Sequence, residues 1–185
     1  MEQSAKNRLS SLSGFPVRGD GLQGLATGNR TGKPAERKQE ILTPPEIVNV
    51  CKVMWADQIS LDPCWCEGSI TDPLDRYEYP KQDGLKLPWC GYSYINPPYR
   101  DLKDWLEYGP TQPAPQIWLV PVRTHRRWWR HWRDYCTDAY CELDPVKFIG
   151  YDQFFPAPLL LGYRGDIPSK FMEVARRLGS VYYSQ

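Results

Sequence analysis

The sequence predicts an α/β fold, in which buried strands are connected by amphipathic helices. Residues 89–95 are rich in aromatic side chains and stop at a proline, which indicates a buried strand. Residues 117–122 form a continuous apolar run, typical of a strand covered on both faces. Between these strands, residues 100–106 have the pattern of a short amphipathic helix, which ends at a Gly-Pro pair.

Length and composition are those of one folded domain with an aromatic core. The chain has 185 residues, of which 41% are hydrophobic, and these include eight Trp and twelve Tyr. The net charge is only +1, so any affinity for nucleic acid must come from a local patch. Residues 1–38 lack an apolar pattern and predict a flexible tail, which leaves residues 39–185 as the domain. Without an apolar run of membrane-spanning length or a signal peptide, the sequence predicts a soluble, cytoplasmic protein.

The domain is predicted to begin with a helix over residues 44–54. Thr43 suits the N-cap, Pro44 suits the first helical position, and Glu46 completes a capping box. A short strand then ends at Asp62 and Pro63, an acidic residue followed by a proline. Taken alone, Asp62 is better explained as a turn-forming residue.

The C-terminal part predicts two further strands, a helix and an edge strand. Residues 147–149 and 159–163 have the composition of strands. Residues 168–178 have the pattern of a closing helix, for which Gly179 provides the cap. Residues 181–183 then predict an edge strand.

Residues 123–133 carry the one strong concentration of charge in the sequence. On a helix, the aromatic side chains Trp128, Trp129, Trp132 and Tyr135 would face inward, with Arg126, Arg127, Arg130 and Arg133 around the outside. Basic residues interleaved with aromatics suit a phosphate backbone and unstacked bases, whereas a solvated helix with core tryptophans explains the pattern equally well. The candidate substrate-binding arginines are Arg123, Arg126, Arg127 and Arg130.

The six cysteines favour free, mostly buried thiols. A zinc site built from Cys64, Cys66, Cys136 and Cys141 is the alternative, but neither spacing fits the usual knuckle on both sides. We therefore predict no bound metal.

Four residues directly after the strand at 89–95 carry the most specific chemistry: Asn96, Pro97, Pro98 and Tyr99. The prolines end the strand and stiffen the turn. The side-chain oxygen of Asn96 and the carbonyl of Pro97 are two acceptors that can hold both hydrogens of a planar amine and stabilise charge on its nitrogen. Tyr99 can stack on the attached ring. The alternative for these residues is a loop stiffened by proline.

This tetrapeptide resembles the catalytic motif of methyltransferases that act on planar nitrogens in DNA adenine, RNA guanine or protein glutamine. The ordered set of segments over residues 41–165 resembles the phage-type DNA adenine N6-methyltransferases, the Dam family of phages and prophages. The matching segments are residues 42–47, 61–64, 83–85, 95–99, 119–124 and 155–158.

The resemblance implies a small, minimal Rossmann-like fold that uses S-adenosyl-L-methionine (AdoMet) to methylate adenine in double-stranded DNA inside a bacterial host cell. Asn96 and Pro97 would hold the adenine amino group, and Tyr99 would stack on a flipped-out base. The implied cofactor-binding residues are Thr43, Pro44, Asp62, Pro63 and Asp83. Phe154 or Phe155 would form the other wall of the base pocket.

The chain departs from the family pattern after its first strand. Residues 64–68 supply one glycine where a glycine-rich loop is usual, which leaves the geometry of cofactor binding open. A methyltransferase for RNA or a protein amide shares the same motif. A degenerate methyltransferase that only binds DNA, and a non-catalytic nucleic-acid-binding protein that uses residues 123–133, are further alternatives.

Overall fold

The computed structural model describes residues 41–113 and 115–185. In this part of the chain, seven strands form one mixed sheet and four α-helices cover it. The strands are β1 (Leu61–Asp62), β2 (Asp75–Arg76), β3 (Ser93–Ile95), β4 (Gln116–Pro121), β5 (Ala139–Leu143), β6 (Leu159–Arg164) and β7 (Gly179–Tyr183). The helices are α1 (Pro45–Met54), α2 (Leu102–Tyr108), α3 (Arg127–Tyr135) and α4 (Pro168–Ala175). The predicted α/β class is confirmed, and the arrangement is compatible with a Rossmann-like fold.

The strand order reverses next to β1. The sheet has the order β2-β1-β3-β4-β6-β5-β7, and its first four strands are parallel to one another. From β1 the chain passes to β2 on one side and then returns to β3 on the other side. In open α/β sheets, the carboxyl ends of the strands at such a reversal form a crevice for ligands.

Helices cover both faces of the sheet. On β4, Ile117 and Leu119 face the apolar layer that contains α1 and α4. Their neighbours Trp118 and Val120 face the second layer, which contains α2 and α3. Because successive side chains of a strand point to opposite faces, a strand between two apolar layers needs apolar residues at every position. The uninterrupted apolar run at 117–122 has this cause.

Two predicted features of the helices are wrong. Helix α1 begins at Pro45, with Pro44 at the N-cap and no side-chain cap. The Thr43 hydroxyl instead hydrogen-bonds the buried Tyr94 hydroxyl at 2.8 Å, a tertiary contact that replaces the capping box. In α3, Trp129 and Tyr135 were both expected to face inward, but Tyr135 is 69% exposed while Trp129 is buried. Tyr135 is the last residue of the helix and packs against the ring of His131.

The C-terminal strands also differ from the prediction. Residues 147–149 form no strand, and Ile149 makes only an isolated bridge to Leu42. The C-terminal strand that the prediction lacks is β5, which has no apolar run because its buried and more exposed residues alternate. Helix α4 stops at Ala175, and Gly179 opens β7 instead of capping the helix. A Cβ on Gly179 would overlap the carbonyl of Glu142 on β5, so this pairing requires glycine.

The predicted edge strand is confirmed, because β7 contains residues 181–183 and is the last strand in the sheet order. The predicted tail, residues 1–38, lies outside the described residues. Within the ranges that the structure describes, no helix is both long and apolar enough to span a membrane.

Candidate functional site

The candidate site lies at the carboxyl edge of the parallel strands. Asp62 ends β1, Asn96 directly follows β3, and these two strands are neighbours. Strand β6 runs antiparallel to β4 and pairs Leu159 with Pro121 where β4 ends. The loop before β6, which carries Phe155, therefore reaches the same edge, as does the chain between β4 and α3.

Asn96 is held in a fixed orientation by the segment before α1. Its side chain is only 4% exposed, and Nδ2 donates to the Ile41 carbonyl at 3.0 Å and to Thr43 Oγ1 at 3.1 Å. Both hydrogens of the amide are therefore committed to residues 41–43. The other polar atom of the side chain, Oδ1, can act only as an acceptor.

Tyr99 packs edge-on against Phe155, with ring centroids 5.7 Å apart and an interplanar angle of 73°. Its hydroxyl is buried and has no hydrogen-bond partner among the described residues. Burial raises the pKa of Tyr99 above its usual value, and the charge of nearby Arg123 partly opposes this. Phe154 is 63% exposed, so Phe155 is the phenylalanine of the predicted pair that contacts Tyr99.

Asp62 organises the loop that follows β1. Its Oδ1 accepts the Cys64 backbone N–H at 3.1 Å, and its Oδ2 accepts the Thr71 hydroxyl at 3.0 Å. Burial raises the pKa of Asp62 from 3.8 to about 6, although both hydrogen bonds favour the ionised form. The carboxylate thus makes the local turn contacts that Asp-Pro sequences favour, and it fixes a loop that has few glycines.

Cys64 lies between the two strand ends. Its thiol contacts the backbone of Asn96, and burial raises its pKa, to which the negative charge of Asp62 adds. The thiol is therefore protonated at neutral pH and packs as a small buried group.

The turn at Asp83 is packed onto the end of β1. A Cβ on Gly84 would overlap the Pro63 carbonyl and lie 2.8 Å from the ring of Trp105, so only glycine allows this approach. Asp83 accepts the Leu85 backbone N–H at 3.1 Å and forms an ion pair with Lys86.

The basic residues divide into two groups. Arg123 is half-buried and acts electrostatically on Tyr99. Arg126, Arg127 and Arg130 are exposed at the start of α3. Arg133, which was expected on the outside, is half-buried and pairs with Asp134 at 2.6 Å.

Sequence reasoning missed two groups at this edge. One is Tyr94, whose hydroxyl hydrogen-bonds Thr43. The only sequence feature that pointed to it was the alternation of bulky and small residues along the strand. The other is the pair Trp65 and Arg76, in which the guanidinium lies 3.8 Å from the centroid of the indole ring. A bulky residue in place of a loop glycine was the signal for Trp65.

The four cysteines of the zinc alternative are not brought together. Cys64 and Cys141 lie in opposite apolar layers, and all six cysteines are free. In residues 41–113 and 115–185, no group of three or more His, Cys, Asp or Glu side chains is arranged to hold a metal ion.

Together these contacts define an α/β protein with a polar and aromatic cluster at the strand reversal of its sheet, the usual ligand position in this class. A scan against protein-family models gives no match, and a search of curated protein sequences finds no relative.

The raised pKa of Asp62 predicts a pH-dependent stability. Because the folded pKa of about 6 exceeds 3.8, ionisation favours the unfolded chain as pH rises through this window. Relative to Asp62→Asn, the wild type should therefore lose about 3 kcal/mol of unfolding free energy between pH 3.5 and pH 7.5. Urea unfolding of both proteins across this range measures the difference, and a constant difference would contradict the prediction.

Gly84→Ala should destabilise the fold by about 3 kcal/mol or more, because the new Cβ meets a backbone carbonyl that cannot rotate away. The control is Gly150→Ala, where a Cβ meets nothing within 4 Å and φ is +85°. Gly150→Ala should lower the free energy of unfolding by about 1 kcal/mol, because alanine disfavours the left-handed backbone conformation. Urea unfolding compares them, and equal costs would show that the Asp83 turn does not pack on Pro63.

Tyr99→Phe should stabilise the protein by about 1 kcal/mol, because it removes a buried hydroxyl that has no hydrogen-bond partner in the part of the chain that the structure describes. The matched control is Tyr94→Phe, which removes a hydroxyl bonded to Thr43 and should destabilise by about 1 kcal/mol. Opposite signs in urea unfolding are the expected result. Two losses of similar size would mean that the Tyr99 hydroxyl has a partner in solution.

Proposed function

We propose that the chain is an AdoMet-dependent methyltransferase that acts on the exocyclic amino group of adenine in double-stranded DNA. The observation that carries the proposal is the position of Asn96. It follows a parallel strand beside the strand reversal, its amide plane is fixed by Ile41 and Thr43, and it precedes two prolines and Tyr99.

Asn96 is suited to accept a hydrogen from an amino group. An aromatic amine is a poor nucleophile because its lone pair is delocalised into the ring. An acceptor that is already oriented favours the more tetrahedral nitrogen and stabilises the positive charge that develops there. The buried bonds to residues 41–43 supply this orientation before a substrate binds.

Tyr99 and Phe155 supply the aromatic surfaces that a flipped-out base needs. In its present position the Tyr99 side chain has a buried hydroxyl without a hydrogen-bond partner in residues 41–113 and 115–185, which costs free energy. A base that displaces the ring, or that offers the hydroxyl a polar group, would offset this cost. The same ring therefore serves as both a cover and a stacking surface for the base.

The residues around the crevice fit AdoMet, whose bound form supplies an electrophilic methyl group. Thr43 and Pro44 precede α1, where the positive end of the helix dipole suits a carboxylate. The Asp83 turn would border the cofactor's base, close to Pro63. Asp62 would contribute to cofactor binding indirectly, because its carboxylate holds the loop after β1 in place. The buried Tyr99 hydroxyl, which no other described residue hydrogen-bonds, is the polar group on the substrate side.

The exposed arginines of α3 support a nucleic acid as substrate. Arg126, Arg127 and Arg130 follow β4 at the edge that contains Asn96, where they can contact phosphates on either side of a flipped nucleotide. Arg123 lies nearer to the aromatic pair.

A second candidate function is nucleic-acid binding without methyl transfer. It is favoured by the loop after β1, which places Cys64, Trp65 and Cys66 where glycines would let a cofactor approach the backbone closely. Measuring cofactor binding separates the two functions, because only the methyltransferase requires it.

Transfer of labelled methyl groups from AdoMet to unmethylated double-stranded DNA tests the proposal. The label is expected in N6-methyladenine, identified by nucleoside analysis of the digested DNA. Asn96→Ala should lower the rate at least about 10²-fold, because it removes the oriented acceptor. The matched control is Asn49→Ala, which changes an exposed position on α1 and should keep the wild-type rate.

Circular dichroism of both variants reports folding, since Asn96 also anchors residues 41–43. An undiminished rate for Asn96→Ala would overturn the mechanism. Label found in RNA instead of DNA would overturn the assignment of the substrate.

A further inference from the structure

Trp65 is the one tryptophan that packs in neither apolar layer of the sheet. All eight tryptophans lie in the described part of the chain, and the other seven belong to the two layers. Cys64 and Cys66 on either side of it are buried, with exposures of 9% and 5%. The loop therefore directs Trp65 away from the interior, and the side chain is half-buried at the surface.

The face of Trp65 already carries a flat group. The guanidinium carbon of Arg76 lies 3.8 Å from the centroid of the indole ring, which is a stacking distance. Arg76 is the last residue of β2 and pairs with Asp62 in the sheet, so this stack stands at the carboxyl end of β1 and β2. Arg76 itself is exposed, and its side chain can leave without opening the core.

The distance across the sheet suits an extended nucleoside. Asn96 follows β3, whereas Arg76 ends β2, and β1 lies between them. Neighbouring strands are about 4.8 Å apart, so these two positions are separated by about 10 Å across the crevice. A ligand that presents its reactive group near Asn96 would bring its other end to Trp65.

We propose that Trp65 is the stacking surface for the purine ring of the nucleoside cofactor, and that Arg76 covers this surface while no nucleoside is bound. The proposal rests on the proposed function, because it assigns the cofactor's base to one side of the same crevice. An indole ring stacks on any base, and it replaces the close backbone approach that a glycine-rich loop would give. In this proposal, Trp65 binds the cofactor at a position where a glycine is usual.

Calorimetric titration of the full chain with S-adenosylhomocysteine and with adenosine tests the proposal. Trp65→Ala should weaken binding of both about 5- to 100-fold, the usual effect of losing one stacked base. Trp65→Phe keeps an aromatic face and should stay within about 3-fold of the wild type. Arg76→Ala removes the competing cation and should tighten binding about 2- to 5-fold.

A second readout separates stacking from a structural effect of the substitutions. Binding should quench part of the tryptophan fluorescence of the wild type, and this quenching should be absent in Trp65→Phe although its affinity is retained. Thermal unfolding of each variant measures the stability of the fold. Equal weakening in Trp65→Phe and Trp65→Ala would overturn the stacking role.

The results also distinguish this proposal from the proposed function. If the wild type binds S-adenosylhomocysteine and Trp65→Ala binds it equally well, the role of Trp65 is wrong and the methyltransferase proposal stands. If the wild type binds neither nucleoside, the methyltransferase proposal is overturned, and the role of Trp65 fails with it.

Discussion

The pair of hydrogen bonds from Asn96 Nδ2 to Ile41 and Thr43 is the interaction on which the candidate site depends. It joins the chain before α1 to the end of β3, and Thr43 extends the link to Tyr94 within that strand. A buried amide is costly unless its hydrogens are paired. The segment before α1 therefore fixes the side chain that we assign to catalysis, and it begins the helix beside the proposed cofactor crevice.

The sequence predicted those strands that lie between two helical layers. Strand β4 was evident because both faces are buried and every position is apolar. Strand β5 was missed because its residues alternate in exposure and because its pairing with β6 and β7 is a tertiary interaction that the local sequence does not show. Thr43 was predicted as a cap from local pattern alone, since the competing partner, Tyr94, lies far away in sequence.

The sequence predicted those parts of the candidate site whose position is fixed by the backbone, in particular by proline. Proline after Asn96 had to end β3, which placed the amide at the carboxyl edge whatever the rest of the chain did. The contact of Tyr99 with Phe155 depends on the antiparallel register of β6, which no local pattern reveals. The hydrogen bond from Thr71 to Asp62 likewise depends on the path of the loop between them, which no local pattern reveals.

The bridge between Leu42 and Ile149 has a consequence for biosynthesis. The Ile149 N–H bonds the Leu42 carbonyl at 3.1 Å, directly beside the residues that orient Asn96. A ribosome releases Leu42 and Asn96 long before Ile149. On a growing chain, the strand ends at Asp62 and Asn96 are therefore made before the bond that holds residues 41–43 in place. The site is completed only after Ile149 has emerged.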